Sequence, residues 1–254
     1  MPSGFLGRGI GPTTIARRAA ADNGLLNNLV YFYALNEAGG ANNALDLHSN
    51  ALHLTQNSSP GSAAGKVYAG ARTFDGSADY FSRASEAALQ TGDVDFTVAA
   101  WVYLAATTNF QNIITKIGSA NSTREYQITY TSTGTKLIFD WWLDASGNLA
   151  SAASGLISQN EWHLVECYHD AVNDLIGIAL DGGAFATTAA NGGNAGGAAF
   201  MLGKRELAGI AANGRIGPVA MWKSAAGGGG VLSEGQRNAV WNNGLGLPYA
   251  QFTT

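Results

Sequence analysis

The acidic side chains are the groups in this sequence best suited to bond cleavage, and their spacing argues against a glycosidase. A retaining glycosidase needs two carboxylates about 5–5.5 Å apart, one as acid and one as nucleophile. Glu161 and Glu166 are five positions apart, so they face opposite sides of an extended strand. Asp93 and Asp95 have the spacing of one face, but they precede a strand in a turn-like stretch. We therefore expect that the protein is not an enzyme.

The four histidines lack the spacing of a metal site within one strand. His163 and His169 are six positions apart on one predicted strand, which separates them by about 20 Å. His48 and His53 fall in a loop region, where surface or turn roles are more frequent. The motifs G-x-S-x-G, H-E-x-x-H and C-x-x-C are absent from the sequence. None of the common hydrolase or metal-site signatures is therefore present.

A sugar-binding pattern is predicted where a tryptophan and an aspartate share one strand face. Alternation along residues 137–142 places Asp140 and Trp142 together, opposite an apolar set. The facing strand of the predicted hairpin adds Gln127 and Thr129. An indole can stack on sugar C–H groups while amide, hydroxyl and carboxylate groups bind hydroxyls. The alternative is that Trp142 packs beneath a loop or against another subunit.

The elements that position these residues are short strands. Runs of Val, Ile, Thr and aromatic residues are bounded by turn residues, which predicts antiparallel strands. Gly134 supplies the positive φ that the hairpin turn before residue 136 needs. Ser233 and Gln236 form a capping box that starts one late helix, which runs to about residues 241–242 with Gly244 as its stop. The predicted strands lie at residues 29–33, 95–104, 111–117, 125–131, 136–143, 161–169 and 175–180.

These elements predict an all-β, two-sheet antiparallel jelly-roll sandwich with one short C-terminal helix. An extended N-terminal arm over residues 1–27 precedes a single domain over residues 28–254. Residues 1–21 contain Arg8, Arg17 and Arg18 but no acidic residue, and they lack the apolar core of a signal peptide. Such an arm either stays mobile or lies along a partner, and the three arginines are its candidate assembly contacts.

Composition excludes several classes of protein. The net charge of −4 gives no general attraction to nucleic acid. No apolar run reaches the ~18 residues of a membrane span, so no membrane partner is expected. The single cysteine, Cys167, excludes an intramolecular disulfide framework and favours folding in a reducing cytoplasm.

Several short motifs along residues 28–249 match a known family in order and spacing. They resemble the laminin-G-like, concanavalin A-like lectin-glucanase superfamily, and the resemblance implies a jelly-roll of two curved sheets. It also makes calcium the one cofactor to consider, with Asp46 and Asp75 as candidate oxygen ligands. The alternative, which we favour, is that both carboxylates cap turns. The motifs are LVYFYALNE (29–37), DLHSNALHL (46–54), ARTFDGSADY (71–80), FTVAAWV (96–102), WHLV (162–165) with LDGG (180–183), GRIGPVAMW (214–222) and the stretch 232–249.

Similar jelly-rolls occur in bacteriophage particles. With the N-terminal arm and no export signal, this resemblance predicts a non-catalytic virion structural, decoration or adhesion protein. It would be made in the host cytoplasm and would join capsid or tail proteins through the arm as a homo-oligomer. Its jelly-roll would also be available to bind cell-surface glycans. The alternatives are an extracellular carbohydrate-binding module or bacterial lectin and, third, a glycoside hydrolase.

Overall fold

The computed structural model describes residues 22–40, 42–106, 110–206 and 211–254. These residues form fifteen strands, the helix α1 (Glu234–Trp241) and three short 3-10 turns. None of the helices in this described part has the length and apolar character needed to cross a membrane. The strands are β1 (Leu29–Tyr33), β2 (Thr55–Asn57), β3 (Gly61–Ala64), β4 (Gly70–Asp75), β5 (Tyr80–Arg83), β6 (Asp95–Leu104), β7 (Gln111–Lys116), β8 (Tyr126–Thr131), β9 (Lys136–Trp142), β10 (Leu149–Leu156), β11 (Trp162–Asp170), β12 (Leu175–Leu180), β13 (Ala186–Ala189), β14 (Phe200–Leu202) and β15 (Asn213–Ser224).

The strands pair into two antiparallel sheets. The eight-stranded sheet has the order β13-β12-β11-β6-β15-β4-β3, and β1 also pairs with β15. The seven-stranded sheet has the order β10-β9-β8-β7-β14-β5-β2. Neighbours in space are often distant in sequence, as in a jelly-roll with Greek-key connections. The predicted two-sheet sandwich with one short C-terminal helix is therefore confirmed.

The main core lies between the two sheets. Every second residue of β8 and β9 faces it, and Ile128 and Phe139 have no exposed surface. Phe96 and Val98 meet them from β6 of the opposite sheet. Fully burying a side chain of this size contributes about 1.5–3 kcal/mol. Because the pleat alternates, the other residues of β8 and β9 point away from this core.

A second apolar layer covers the outer face of the eight-stranded sheet. Trp101 stacks on Trp241 of α1 with 5.5 Å between ring centroids, and Trp222 stacks on Phe252 at 6.1 Å. Helix α1 begins with the predicted capping box at Ser233. The helix ends at Trp241, as predicted, and its C-cap is Asn242 rather than Gly244; its φ of 47° lies in the left-handed region that asparagine tolerates. This sheet is thus covered on both faces.

The first described residues are tied to the C-terminal end of the chain. Leu25 is fully buried, and Leu26 N donates to Thr253 O at 2.8 Å. Asn23 Nδ2 donates to Gln251 O at 2.8 Å. The predicted arm contacts Arg8, Arg17 and Arg18 lie outside the described residues.

Candidate functional site

A polar row crosses β8, β9 and β10 on the outer face of the seven-stranded sheet. Strand register places Gln127 opposite Asp140, and Asp140 opposite Ser151. Gln127 Nε2 donates to Asp140 Oδ2 at 2.7 Å, and Ser151 Oγ donates to Asp140 Oδ1 at 2.5 Å. Each carboxylate oxygen therefore holds one neutral donor, and no described cation forms an ion pair with Asp140. The structure brings the predicted Gln127 and Asp140 together.

Three polar atoms beside this row have no hydrogen-bond partner among the described residues. They are Gln127 Oε1, Thr129 Oγ1 and Trp142 Nε1. Gln127 is 7% exposed, Thr129 is fully buried, and Trp142 is 4% exposed. An unpaired buried polar atom costs about 1–3 kcal/mol. Three of the unpaired buried polar atoms in the described residues thus lie beside this row.

Trp142 does not present the open sugar-stacking ring that the sequence predicts. It is only 4% exposed, and the Arg124 guanidinium lies over the ring, 5.9 Å from its centroid. Asn194 N donates to Trp142 O at 2.9 Å, and Asn194 Nδ2 donates to Arg124 O at 2.7 Å. These contacts bring the Asn194 loop against the end of β9. The open part of the row is therefore Asp140 with the exposed Ser151.

A buried ion pair anchors the neighbouring ends of β7 and β8. Lys116 Nζ lies 2.5 Å from Glu125 Oε1, and neither side chain is exposed. Thr91 donates to Glu125 Oε2 through its backbone N–H at 2.7 Å and its hydroxyl at 2.8 Å. Burial raises the pKa of the Glu125 carboxyl above its ordinary value, although the Lys116 ammonium opposes the shift. The sequence offered no signal for this pair, because Lys116 ends β7 and Glu125 lies nine positions later, just before β8.

The two candidate calcium ligands each hold a turn. Asp46 Oδ1 accepts from the N–H groups of Phe32 at 3.0 Å and His48 at 2.9 Å. Its Oδ2 accepts from Leu52 N at 2.9 Å. No cluster of three or more acidic, histidine or cysteine side chains suited to a metal occurs within the described ranges.

Asp75 caps the Phe-Asp-Gly corner in the same manner. Its Oδ1 accepts from the backbone N–H groups of Ser77, Ala78 and Asp79 at 2.9–3.1 Å. Desolvation acts to raise the pKa of the carboxyl, but these donors hold it below its ordinary value. In this structure Asp46 and Asp75 therefore cap two separate turns, and neither is part of a ligand cluster in the described chain.

The acidic pairs weighed for glycoside hydrolysis do not converge. Glu166 is buried against α1, where Arg237 Nη2 donates to its Oε2 at 3.1 Å. Asp95 accepts from Ala171 N at 3.0 Å and Gly227 N at 2.8 Å, so it caps two loops. Glu166 and Asp95, one carboxylate of each pair, are therefore held by structural contacts.

The sandwich, its curved polar sheet and its core motifs define one class of protein. Residues 74–228 match the family model described as the concanavalin A-like lectin/glucanases superfamily. The match covers more than half of the chain, and the chain belongs to this superfamily. A comparison with curated proteins gives no match.

Several solved structures share the fold at low sequence identity. The binding domain of Paraclostridial Mosquitocidal Protein 1 is 12% identical with a TM-score of 0.66, over 86% of this chain and 52% of that one. Domain 4 of AbnA, a GH43 extracellular arabinanase from Geobacillus stearothermophilus, in complex with arabinotriose, is 14% identical with a TM-score of 0.60, over 82% and 98%. The binding domain of botulinum neurotoxin serotype D is 10% identical with a TM-score of 0.59, over 86% and 52%. The chain thus spans about half the length of the toxin binding domains.

Proposed function

We propose that this chain is a glycan-binding domain without glycosidase machinery, and that it binds sugar on the polar row around Asp140. The observation that carries the proposal is the Gln127–Asp140–Ser151 chain of hydrogen bonds, in which Asp140 is half-buried and Ser151 is exposed. Neutral sugars are recognised through such convergent amide, hydroxyl and carboxylate groups.

Asp140 is the central acceptor in this proposal. A carboxylate offers about four lone-pair sites, and Gln127 and Ser151 fill two of them. Two sugar hydroxyls can therefore donate to the remaining sites without displacing a protein donor. Each hydrogen bond to a charged group contributes about 1.5–3 kcal/mol. Ser151 Oγ adds an acceptor at the exposed margin.

The fold of a relative supports this assignment. Domain 4 of AbnA has a similar sandwich along 98% of its length, and its structure contains arabinotriose. Short pentose or hexose oligosaccharides are therefore the first ligands to test. A glycan array is the direct experiment, with binding by the wild type expected. An array on which the wild type binds nothing would overturn the proposal.

We further propose that the domain works on a bacteriophage particle as a decoration or adhesion protein. The support is the basic, acid-free stretch of residues 1–21, with Arg8, Arg17 and Arg18 as contacts to capsid or tail proteins. Many identical copies would then display the sugar site on the particle, and weak single affinities would add through multivalency. An extracellular lectin or carbohydrate-binding module is the alternative function.

Incorporation into phage particles distinguishes a virion protein from an extracellular lectin or carbohydrate-binding module. A chain lacking residues 1–21 should fold and bind the same glycans but should be missing from purified particles. Full incorporation of the truncated chain would contradict the virion proposal, while leaving the sugar site intact.

A further inference from the structure

Three side chains near one edge of the sandwich lie in the order of a charge-relay chain. Ser158 Oγ is 2.8 Å from His163 Nε2, and His163 Nδ1 is 2.7 Å from Asp181 Oδ2. Ser158 follows β10, His163 lies in β11, and Asp181 follows β12. The group therefore assembles where the chain passes from the seven-stranded sheet to the eight-stranded sheet.

The hydrogen-bond chemistry fixes the role of one histidine nitrogen and places the other beside the serine. A carboxylate only accepts, so His163 Nδ1 carries a hydrogen and donates it to Asp181. His163 Nε2 lies within hydrogen-bond distance of Ser158 Oγ, so its lone pair can take the serine proton when the hydroxyl turns from Glu161 to the ring. Asp181 is held in place, because its Oδ1 accepts from Leu164 N at 2.9 Å.

We propose that Ser158, His163 and Asp181 form an acyl-transfer centre that hydrolyses small carboxylic esters. Serine, histidine and aspartate in this relation activate a hydroxyl nucleophile on unrelated folds. This activity goes beyond glycan binding, and it would make the chain an enzyme, contrary to the expectation from its sequence. No sequence motif indicates this centre, because Asp181 is separated from Ser158 and His163 by most of β11 and all of β12.

The reaction has two balanced steps. Ser158 Oγ bonds to the ester carbonyl carbon while its proton passes to His163 Nε2. The alcohol leaves and takes that proton, which leaves an acyl group on Ser158. A water molecule then attacks the acyl carbon, gives one proton to His163, and releases the carboxylic acid and the serine hydroxyl.

The surroundings of Ser158 define the class of substrate. Ser158 is exposed, and its backbone N–H has no acceptor within the described chain, so it is available to a developing oxyanion. Because Ser158 is exposed and does not lie in an enclosed pocket, it suits esters with a short acyl group, such as acetyl esters. Bulky acyl chains would gain no burial there.

Glu161 sets the resting state of the centre. Ser158 Oγ donates to Glu161 Oε2 at 2.6 Å, so this carboxylate competes with His163 for the serine proton. Its negative charge also disfavours an oxyanion nearby. Glu161→Gln should therefore increase the rate of acyl transfer several-fold, an effect that a purely structural contact would not produce.

The test uses the full chain with p-nitrophenyl acetate and a fluorophosphonate probe. The probe forms a bond from Ser158 Oγ to phosphorus and releases fluoride, so peptide mass mapping locates the reactive serine. Ser49→Ala is the matched control, because Ser49 Oγ lies 3.5 Å from His48 Nε2, while His48 Nδ1 faces the Tyr249 hydroxyl at 3.2 Å rather than a carboxylate.

The proposal predicts labelling at Ser158 in the wild type and in Ser49→Ala. Ser158→Ala should lose both labelling and ester hydrolysis, and Asp181→Asn should lose at least tenfold in rate because the histidine tautomer is no longer fixed. Asparagine suits this position, where φ is 55°. Absence of the label from Ser158, or equal ester hydrolysis by Ser158→Ala and the wild type, would overturn the proposal.

Discussion

Lys116 and Glu125 form an ion pair with no exposed surface, and strand register places Lys116 opposite the core residue Tyr126, whereas Gln127 and Asp140 lie on the other face of the same sheet. Lys116 Nζ also donates to the carbonyl oxygens of Ala198 at 3.0 Å and Gly196 at 3.3 Å. The pair therefore joins β7, the start of β8 and the segment before β14. It fixes this end of the seven-stranded sheet through an ion pair and hydrogen bonds rather than through apolar contact.

Removing one partner of this pair should destabilise the fold strongly. Lys116→Met leaves the Glu125 carboxylate buried without its cation, and such a loss costs about 3–5 kcal/mol. The double variant Lys116→Met with Glu125→Leu removes both charges and should recover part of that loss. Denaturant unfolding measures both. Equal stability of the single variant and the wild type would contradict this assignment.

The same variant should respond to pH in a defined direction. Burial raises the pKa of Glu125 above its ordinary value, so the folded protein holds the carboxyl proton more tightly than the unfolded chain does. The stability that this proton contributes is present at low pH and is lost as pH rises through the folded pKa. Without Lys116 the carboxylate becomes harder to ionise, and the penalty grows with pH. The loss of stability in Lys116→Met should be smaller at about pH 5 than at about pH 8. Unfolding midpoints at the two pH values test this sign.

Asp46 should stabilise the fold through its amide bonds whether or not calcium is present. Asp46→Ala leaves three backbone N–H groups without their acceptor, and each buried unpaired donor costs about 1–3 kcal/mol. The variant should therefore melt well below the wild type in chelator and in calcium alike. A wild-type melting temperature that rises with added calcium and a variant that does not respond would instead identify Asp46 as a ligand.

The start of the folded domain should lie between residues 21 and 25. Leu25 is fully buried, and its carbonyl oxygen accepts from Trp222 Nε1 at 2.7 Å. Truncating a buried leucine typically costs about 2–5 kcal/mol. Deletion of residues 1–21 should keep the wild-type unfolding midpoint, whereas deletion of residues 1–27 should lower it clearly. Equal midpoints for the two truncations would show that this contact is unimportant.

The sequence predicts the strands that are rich in β-branched and aromatic residues. Strands β6 and β12 have the predicted bounds, and β1 begins and ends where the pattern indicated. The antiparallel pairing of β8 with β9 also follows the predicted hairpin, with Gly134 at φ of 85° in its turn. These elements are readable because their propensity and their turn chemistry agree.

Other parts of the structure depend on contacts that local pattern does not encode. Strand β10 is built from alanine, serine, glycine and leucine, whose weak strand preference hid it, yet it supplies Ser151 to the polar row. The Arg124 guanidinium over the Trp142 ring and the Asn194 loop, 52 positions away in sequence, are contacts that the alternation of β9 does not encode. The Ser158–His163–Asp181 group likewise needs the crossing between sheets. The position of the site therefore depends on strand pairing between distant parts of the sequence, whereas β propensity predicts only the strands themselves.

The most direct test of the sugar site is the affinity of the best array glycan for two matched variants. Asp140→Asn keeps the shape of the side chain and removes its charge, and Asp174→Asn makes the same change in the β11–β12 turn, where φ is 53°. Calorimetric titration should show a dissociation constant at least tenfold higher for Asp140→Asn than for the wild type. A tenfold change corresponds to a loss of about 1.4 kcal/mol in binding free energy. Asp174→Asn should bind as the wild type does. Equal affinity of Asp140→Asn and the wild type would contradict the proposed site.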